Sequence, residues 1–190
     1  FYINSNEALK KVGSVGKPML FNDIQILSES GEMAKTNETG ELLIRGNHAF
    51  EYYWNNPEET KKTKQNGWIH TGDLARCDDD GYYYIVGRKK DMIITGGENV
   101  YPLEIEHMLE THPNIAEAAV LGLPDEKWGE IVAAFIVLKT PIAQHEIKNY
   151  CKQKLANFKV PKKIVTLNQL PKTHVGKVDK LKLKKMYKDK

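Results

Sequence analysis

The sequence predicts an α+β fold, in which a β-rich first part is followed by a small α+β domain. Two near-continuous apolar runs, Ile115–Leu123 and Ile131–Leu138, predict neighbouring strands in the second part. An amphipathic stretch that begins at Pro102 predicts a helix beside them, because proline is favoured in the first turn of a helix. Before Gly87 the chain alternates short β-type segments with turn residues, and we find no complete core there. The first part therefore has the character of the end of a larger domain.

The pattern changes near residues 87–91, which gives the domain boundary. We assign residues 1–89 to the β-rich part and residues 90–190 to the C-terminal domain. The second part has about the usual minimum size for a core of its own.

The first part is predicted to contain two strands, a short helix, a strand that enters a tight turn, a hairpin turn and an aromatic strand. In order, these segments are Asp23–Leu27, Glu41–Arg45, Pro57–Thr60, Gly67–Asp73, Asp78–Gly81 and Tyr82–Val86.

The second part is predicted to alternate strands and helices over one sheet. The helix from Pro102 should end before Pro113, with its apolar side chains buried. These side chains are Leu103, Ile105, Met108 and Leu109. The other segments are the strand Met92–Thr95, a turn at Gly96-Gly97, the helix Ala143–Leu155, the strand Lys163–Leu167 and the helix Asp179–Tyr187.

Charge is distributed unevenly along the chain. Of the net charge of +3, the segment from Lys159 to the end carries 11 lysines against Asp179 and Asp189, a balance of +9, which leaves −6 for the rest. A basic tail on an acidic body is typical of proteins that bind a polyanion, but it is equally typical of a solvated helix. Charge alone leaves both interpretations open.

Composition and length exclude several classes of protein. We find no apolar leader and no long uncharged apolar run, so secretion and a transmembrane segment are not expected. Cys77 and Cys151 are too few and too isolated for a disulfide framework or a metal site. The expected location is the cytoplasm, and the sequence gives no indication of oligomeric state.

Four short segments contain side chains suited to nucleotide chemistry. Asp73, in Thr71-Gly72-Asp73, presents a carboxylate that can accept hydrogen bonds from two neighbouring hydroxyls, as in a ribose diol, although a simple turn aspartate has the same pattern. Arg88 offers a fork of donors for phosphate or ribose oxygens, or an ordinary surface ion pair. Gly96-Gly97 permits a close approach of backbone to a ligand or only a hairpin turn. Lys177, on a glycine-containing loop, has an ammonium group that could bridge a carboxylate and a phosphate.

Taken together and in this order, the motifs resemble those of the adenylate-forming superfamily, which contains acyl-CoA synthetases, nonribosomal adenylation domains and luciferases. The resemblance covers essentially the whole chain and is strongest to 4-chlorobenzoate, o-succinylbenzoate and fatty-acid CoA ligases. The motifs are Val12-Gly-Ser-Val-Gly-Lys-Pro18, Gly40-Glu-Leu-Leu-Ile-Arg-Gly46, Tyr53-Trp-Asn-Asn-Pro-Glu-Glu-Thr60, Gly87-Arg-Lys-Lys-Asp91, Gly96-Gly-Glu-Asn-Val-Tyr-Pro102 and Pro171-Lys-Thr-His-Val-Gly-Lys177. One departure is Glu51, where such proteins usually have glycine.

The resemblance implies a role for each matching residue. Lys177 matches the catalytic lysine of acyl-adenylate formation, and Lys90 matches the hinge of a lid domain that adopts two orientations. Among the cofactor-binding positions, Asp73 and Arg88 match residues that bind ATP or AMP, and Gly96 and Gly97 match the lining of the pantetheine tunnel. Asn99, together with Glu98, matches positions near the adenylate or the tunnel. The nucleotide of coenzyme A is contacted at the positions of Trp128, Phe158 and Lys162. Trp128 and Phe158 also suit ordinary partial burial. Val160 stands where some relatives have a basic residue.

The resemblance also implies what lies outside this segment. The phosphate loop, the Mg²⁺ ligands and the acyl pocket are expected before Phe1, so we expect the segment to be inactive alone. The expected reaction joins a carboxylic acid to coenzyme A with ATP, and fatty, aromatic and o-succinylbenzoate-type acids are all compatible with it.

Two other functions remain to be distinguished from a CoA ligase. One is an adenylation domain that loads a carrier protein, although Lys90 at the hinge is more typical of acyl-CoA ligases. The other is a non-catalytic basic module that binds nucleic acid through its lysine-rich tail and predicts salt-sensitive binding. We do not expect nucleic acid as a partner, because the motif order gives it no support.

Overall fold

The structure, a computed structural model, describes residues 1–188. The chain divides into two compact units, Phe1–Lys90 and the residues from Asp91 onward. The last two positions of the C-terminal domain expected from the sequence, 189 and 190, lie outside the described residues. The identity of the two units as parts of an enzyme stays a prediction.

The first unit contains two short helices and five strands. These are α1 Ser5–Lys10, β1 Asp23–Leu27, β2 Gly40–Arg45, α2 Pro57–Thr63, β3 Lys64–Gln65, β4 Trp68–Cys77 and β5 Tyr83–Arg88. A 3₁₀ helix, Lys89–Asp91, follows β5.

Up to residue 188, the second unit contains five strands and three helices. These are β6 Ile93–Thr95, β7 Glu98–Val100, α3 Pro102–Glu110, β8 Ile115–Asp125, β9 Gly129–Leu138, α4 Gln144–Lys154, β10 Lys163–Leu167 and α5 Lys180–Lys188. A second 3₁₀ helix, Asn157–Lys159, precedes β10.

The five strands of the first unit form one sheet. In it, β2 lies between β1 and β4, and β4 pairs on its other edge with β3 and β5, all antiparallel. One face buries a small core around Ile26, Leu42 and Ala75. Asp78, in the turn after β4, holds the β4–β5 hairpin through Lys11 Nζ at 2.8 Å, the Tyr82 amide at 2.9 Å and the Tyr84 hydroxyl at 3.1 Å.

The sheet of the second unit is covered on both faces. Strand β9 is central, with β8 antiparallel on one edge and β10 parallel on the other, and β6 joins it at Gly129. One face packs on α3 and α4 through side chains such as Ile105 and Ile147, and the other packs on α5 through Leu183. Because β8 and β9 are buried on both faces, their sequences are continuous apolar runs rather than alternating ones.

The free edge of β8 is covered by acidic side chains of α3. Glu106 Oε1 accepts the Val120 amide at 2.8 Å, and Glu110 Oε1 accepts the Ala118 amide at 3.4 Å. Glu106 Oε1 also pairs with Lys180 Nζ of α5 at 2.8 Å. One carboxylate therefore satisfies an edge amide and ties α5 to α3.

The strand predicted within Gly67–Asp73 is confirmed, but the tight turn predicted at its end is wrong. Strand β4 continues through it to Cys77, and Gly72 adopts a φ of +69° inside the strand. The pairing of β4 shifts register near this point on both edges, between Glu41 and Leu43 on β2 and between Leu74 and Ala75 facing β5. The glycine therefore permits an irregularity in a paired strand and not a reversal of the chain.

Other differences are smaller. Leu103 and Met108 of α3 are half-buried rather than buried, whereas Ile105 and Leu109 are fully buried as predicted. Helix α1 was not predicted, because it buries no side chain and thus has no apolar periodicity. Within residues 1–188, no helix is long and apolar enough to cross a membrane.

Candidate functional site

Asp73 and Arg88, separated by fifteen positions in sequence, are brought together by β4 and β5. They are direct partners in the strand register, and Arg88 Nη1 donates to Asp73 Oδ1 at 2.6 Å. Thr71 fixes the approach to Asp73, because its hydroxyl donates to the Leu42 carbonyl at 2.7 Å and accepts the Asp73 amide at 3.0 Å. Both side chains of the pair are partly exposed, so the carboxylate and the guanidinium can face a ligand from a fixed position.

Glu41 lies in the same region and was not among the residues selected from the sequence. Its side chain is 10% exposed, and Oε2 pairs with Lys89 Nζ at 2.9 Å and with His70 Nδ1 at 3.4 Å. Burial alone would raise the pKa of Glu41, but the hydrogen bonds from Lys89 and His70 lower this pKa below its ordinary value. Glu41 borders a depression of about 570 Å³ in this unit, together with Thr71 and Arg88.

The sequence contains a signal for Glu41. It directly precedes the apolar run Leu42–Ile44 of β2, on the face opposite the core residues Leu42 and Ile44. A buried carboxylate needs a cationic partner, and the basic run Arg88–Lys90 offers one. Spacing alone does not indicate this pairing, because the two segments are 48 positions apart.

Lys90, the predicted hinge, is exposed. In the part of the chain that the structure describes, its side chain makes no hydrogen bond or ion pair, unlike those of Arg88 and Lys89. It is the last residue of the first unit.

Gly96 and Gly97 form the two-residue turn between β6 and β7. Their φ values of +60° and +85° are those of a type I′ hairpin turn. The indole of Trp128 packs on Gly96: a Cβ at this position would lie 2.8 Å from Trp128 Cε3, and the Gly96 amide donates to the Trp128 carbonyl at 2.9 Å. A Cβ on Gly97, by contrast, would have no atom within 4 Å. Position 96 therefore requires glycine because any Cβ there would overlap the indole, whereas Gly97 borders open space.

Trp128 and Lys162 form a cationic-aromatic surface next to this turn. Trp128 is 41% exposed, and Lys162 Nζ lies 3.8 Å from the centroid of its ring, with Lys127 Nζ at 5.0 Å. This geometry suits an aromatic base and a phosphate, because the indole can stack and the ammonium groups can pair with an anion.

Phe158 and Asn99 lie on elements next to the Gly96-Gly97 turn. Phe158 is 37% exposed, and the 3₁₀ helix that contains it lies against β7, the strand of Asn99. Asn99 is half-buried and pairs with Ile94, and Glu98 is exposed. Val160, where some relatives have a basic residue, is 6% exposed and packs in the core beside α3 and α4.

Lys177 lies on an exposed turn before α5. The Thr173 amide donates to the Lys177 carbonyl at 2.7 Å, the Gly176 amide donates to the Thr173 carbonyl at 2.9 Å, and Gly176 has a φ of +79°. No hydrogen bond or ion pair of the Lys177 ammonium occurs among residues 1–188. The backbone of this turn is therefore ordered, and the ammonium is free to pair with an anion.

The lysine turn and the glycine turn lie at opposite ends of one sheet. Trp128 directly precedes Gly129, the first residue of β9. Near the other end of β9, Val137 pairs with Glu117, and Glu117 forms an ion pair at 2.8 Å with Lys172 at the base of the lysine turn. The eight residue-to-residue steps from Gly129 to Val137 span about 26 Å at roughly 3.3 Å per step. The structure does not bring Lys177 together with Gly96, Gly97 or Trp128.

Metal ligands do not converge in the described part of the chain. No group of three or more His, Cys, Asp or Glu side chains within residues 1–188 is arranged to hold an ion.

Comparison with known families gives a match in the second unit. Residues 104–177 match the family described as AMP-binding enzyme C-terminal domain. Among curated proteins, the long-chain-fatty-acid–CoA ligase FadD13 of Mycobacterium tuberculosis is 44% identical over 184 residues, which cover 96% of this chain and 36% of that protein.

Solved structures agree in fold over nearly the whole chain. The o-succinylbenzoate CoA synthetase MenE from Bacillus subtilis, in complex with the acyl-adenylate intermediate, matches with a TM-score of 0.90 and 37% identity, over 99% of this chain and 38% of that one. The same synthetase in complex with ATP and a magnesium ion matches with a TM-score of 0.88 and 36% identity, over 98% of this chain and 38% of that one. This chain thus spans little more than a third of the length of these relatives.

Proposed function

Since the chain belongs to the adenylate-forming AMP-binding enzymes, we propose that it is the C-terminal part of an ATP-dependent carboxylic acid–CoA ligase. In the first step, the carboxylate attacks the α-phosphorus of ATP, forming acyl-AMP and releasing pyrophosphate. In the second, the thiol of coenzyme A attacks the acyl carbon, its proton is lost, and AMP departs. The relatives named above are a CoA ligase and a CoA synthetase, which supports this reaction class.

One observation supports the proposal most strongly, namely the separation of Lys177 from the Gly96-Gly97 turn by the length of β9. Two such distant sites cannot serve a single reacting centre at the same moment. They can serve it in turn if the C-terminal domain presents first one end and then the other.

In the adenylation step, Lys177 is the residue that neutralises charge. Its exposed ammonium on an ordered turn can contact the carboxylate and the α-phosphate as negative charge develops between them. Asp73 accepts hydrogen bonds from the ribose hydroxyls, and its partner Arg88 holds it in place and donates to the nucleotide.

In the thioester step, the open side of Gly97 borders the path of the pantetheine arm. Any larger side chain there would extend into that path, since the space next to Gly97 is empty. Trp128 and Phe158 present ring faces to the adenine of coenzyme A, and Lys162 pairs with a phosphate. Asn99, on the adjacent strand, positions the adenylate or the arm.

The two units correspond, in this proposal, to the last strip of a large domain and to a lid. Residues 1–89 have only a small core and leave Leu20 and Phe21 85% and 93% exposed, as expected if a larger body covers them. Residues 90–190 form the lid, with Lys90 as the hinge. The ligands of Mg²⁺, which ATP requires, and the acyl pocket belong to the remainder of the protein. Location in the cytoplasm stays a prediction.

The test is a turnover measurement on the full-length protein. AMP release is measured with ATP and a panel of fatty and aromatic acids, in the presence of either coenzyme A or a phosphopantetheinylated carrier protein. Turnover with coenzyme A is expected. Turnover with the carrier alone would contradict the proposal and indicate a carrier-loading domain.

A further inference from the structure

Three consecutive cations, Arg88, Lys89 and Lys90, end the first unit, and they differ in how they are held. Arg88 pairs with Asp73 of β4 at 2.6 Å, and Lys89 pairs with Glu41 of β2 at 2.9 Å. Lys90 has no such partner among residues 1–188. The chain is thus fixed to two strands of the sheet up to Lys89, and the fixation ends one residue later.

The Glu41 carboxylate is the most deeply placed group in this arrangement. It is 10% exposed, whereas Lys89 is 62% exposed. Its Oε2 accepts from Lys89 Nζ and lies 3.4 Å from His70 Nδ1, so that one buried oxygen brings together β2, β4 and the 3₁₀ helix after β5. A buried carboxylate needs these partners, which makes the contact more persistent than a pair between two exposed side chains.

Glu41 holds Lys89 from a distance of 48 positions in sequence. Its contact with Lys89 Nζ prevents the end of β5 from fraying, since Lys89 directly follows the last residue of that strand. Without it, the partly exposed Asp73–Arg88 pair would be the last side-chain contact that supports the pairing of β5 with β4 at the end of the strand.

We propose that Glu41 is a positioning residue for the hinge. Glu41 anchors the chain through Lys89 and thereby confines the change of backbone angles to Lys90 and the residues after it. This inference rests on the proposed function for the meaning of the hinge, but the anchoring itself is a property of the first unit alone. Glu41 acts through Lys89 and touches no reacting atom.

The experiment measures hydrogen–deuterium exchange of the segment 86–91 in the full-length protein, without ATP, acid or coenzyme A. The variants are Glu41→Gln, Lys89→Met and Lys89→Arg. The matched control is Asp23→Asn, which removes a carboxylate charge from the exposed Asp23–Arg45 pair of the same sheet. The segment 83–85, in the same strand β5, is the internal reference.

Glu41→Gln and Lys89→Met are expected to speed exchange of the segment 86–91 by roughly 5- to 30-fold, as expected for losing an interaction of one or two kcal/mol. The reference segment should change by less than about twofold. Lys89→Arg should restore the slow exchange, because a guanidinium can also reach the carboxylate, and Asp23→Asn should have no effect.

The proposal is overturned if Lys89→Met leaves the exchange of segment 86–91 within about twofold of the parent protein, or if it speeds exchange across the whole sheet to the same extent. If Glu41→Gln fails to fold, Lys89→Met decides alone, because that side chain is mostly exposed. A full-length protein without ligase activity would contradict the proposed function and leave this measurement interpretable.

Discussion

Replacement of Gly96 by alanine tests the packing of the glycine turn most directly. The new Cβ would lie 2.8 Å from Trp128 Cε3 and 3.1 Å from Cζ3, closer than carbon atoms pack. The indole must therefore move away, and it loses its contact with Lys162, whose Nζ is now 3.8 Å from the ring centroid. Gly97→Ala is the matched control, because its Cβ would meet no atom within 4 Å.

The magnitude follows from these contacts. A non-glycine residue in the left-handed region costs roughly 1–2 kcal/mol, and both glycines have such φ values. Displacement of Trp128 adds about 0.5–1 kcal/mol for the lost cation–π contact, and only at Gly96. We expect the free energy of unfolding to fall by about 1.5–3 kcal/mol in Gly96→Ala and by about 1–2 kcal/mol in Gly97→Ala.

The assay combines urea denaturation with NMR of the indole NH groups. The chain contains three tryptophans and therefore gives three indole signals in a ¹H–¹⁵N spectrum. Only the signal of Trp128 should shift in Gly96→Ala, and it should keep its position in Gly97→Ala. An unchanged Trp128 signal in Gly96→Ala, or an equal shift in both variants, would refute the packing described here.

Three further predictions concern stability and reactivity. Burial alone would raise the pKa of Asp78, but its hydrogen bonds lower this pKa to about 2. The stabilisation by the Asp78 carboxylate is therefore complete above about pH 4 and should be lost as the pH falls toward 2. Acid titration followed by circular dichroism should show a smaller loss of stability over this pH range in Asp78→Asn than in the parent protein. Burial raises the pKa of Cys151 to about 11, whereas Cys77 is only half-buried. Mass spectrometry after iodoacetamide treatment should therefore find Cys77 modified first and Cys151 modified only in urea. Glu106→Ala leaves an edge amide of β8 and the Lys180 ammonium without their carboxylate, and urea denaturation should show a loss of about 1–3 kcal/mol. Glu104→Ala is the contrast and should show a smaller loss, because the Glu104 carboxylate is more exposed and binds no edge amide.

Much of the second unit could be predicted from the sequence, because its elements have strong local signals. The runs of β8 and β9 are continuous and apolar, since both faces of the sheet are covered. The start of α3 is marked by Pro102, and the turn at Gly96-Gly97 has the dipeptide that a type I′ hairpin needs. In each case the residue pattern reflects a constraint within a few positions of the chain.

The first unit was less predictable, because its decisive contacts join distant segments. The Glu41–Lys89 pair links β2 to the residue after β5, and no local pattern states that the two strands are close. The sequence predicts a turn at Gly72, because a positive φ in a bulged strand and one in a turn require the same amino acid.

In the candidate site, too, the contacts between neighbouring strands could be predicted, and those between distant segments could not. The position of Asp73 beside Arg88 follows from the hairpin between them, and their pairing required only the register of two adjacent strands. The packing of Trp128 on Gly96 required the fold, since β6 and the β8–β9 connection meet only in the folded sheet. Exposure of Trp128 and Phe158 was left open by the sequence, because aromatic side chains are used for packing and for binding alike.

The central claim, that the two ends of the C-terminal domain serve the two half-reactions in turn, is tested most directly by measuring the half-reactions separately in the full-length protein. Lys177→Ala should slow pyrophosphate release from ATP and acid by roughly 10²–10³-fold and spare thioester formation from supplied acyl-AMP. Gly97→Leu should do the reverse, because its side chain enters the open space next to the turn. Equal loss of both half-reactions in either variant would contradict the account.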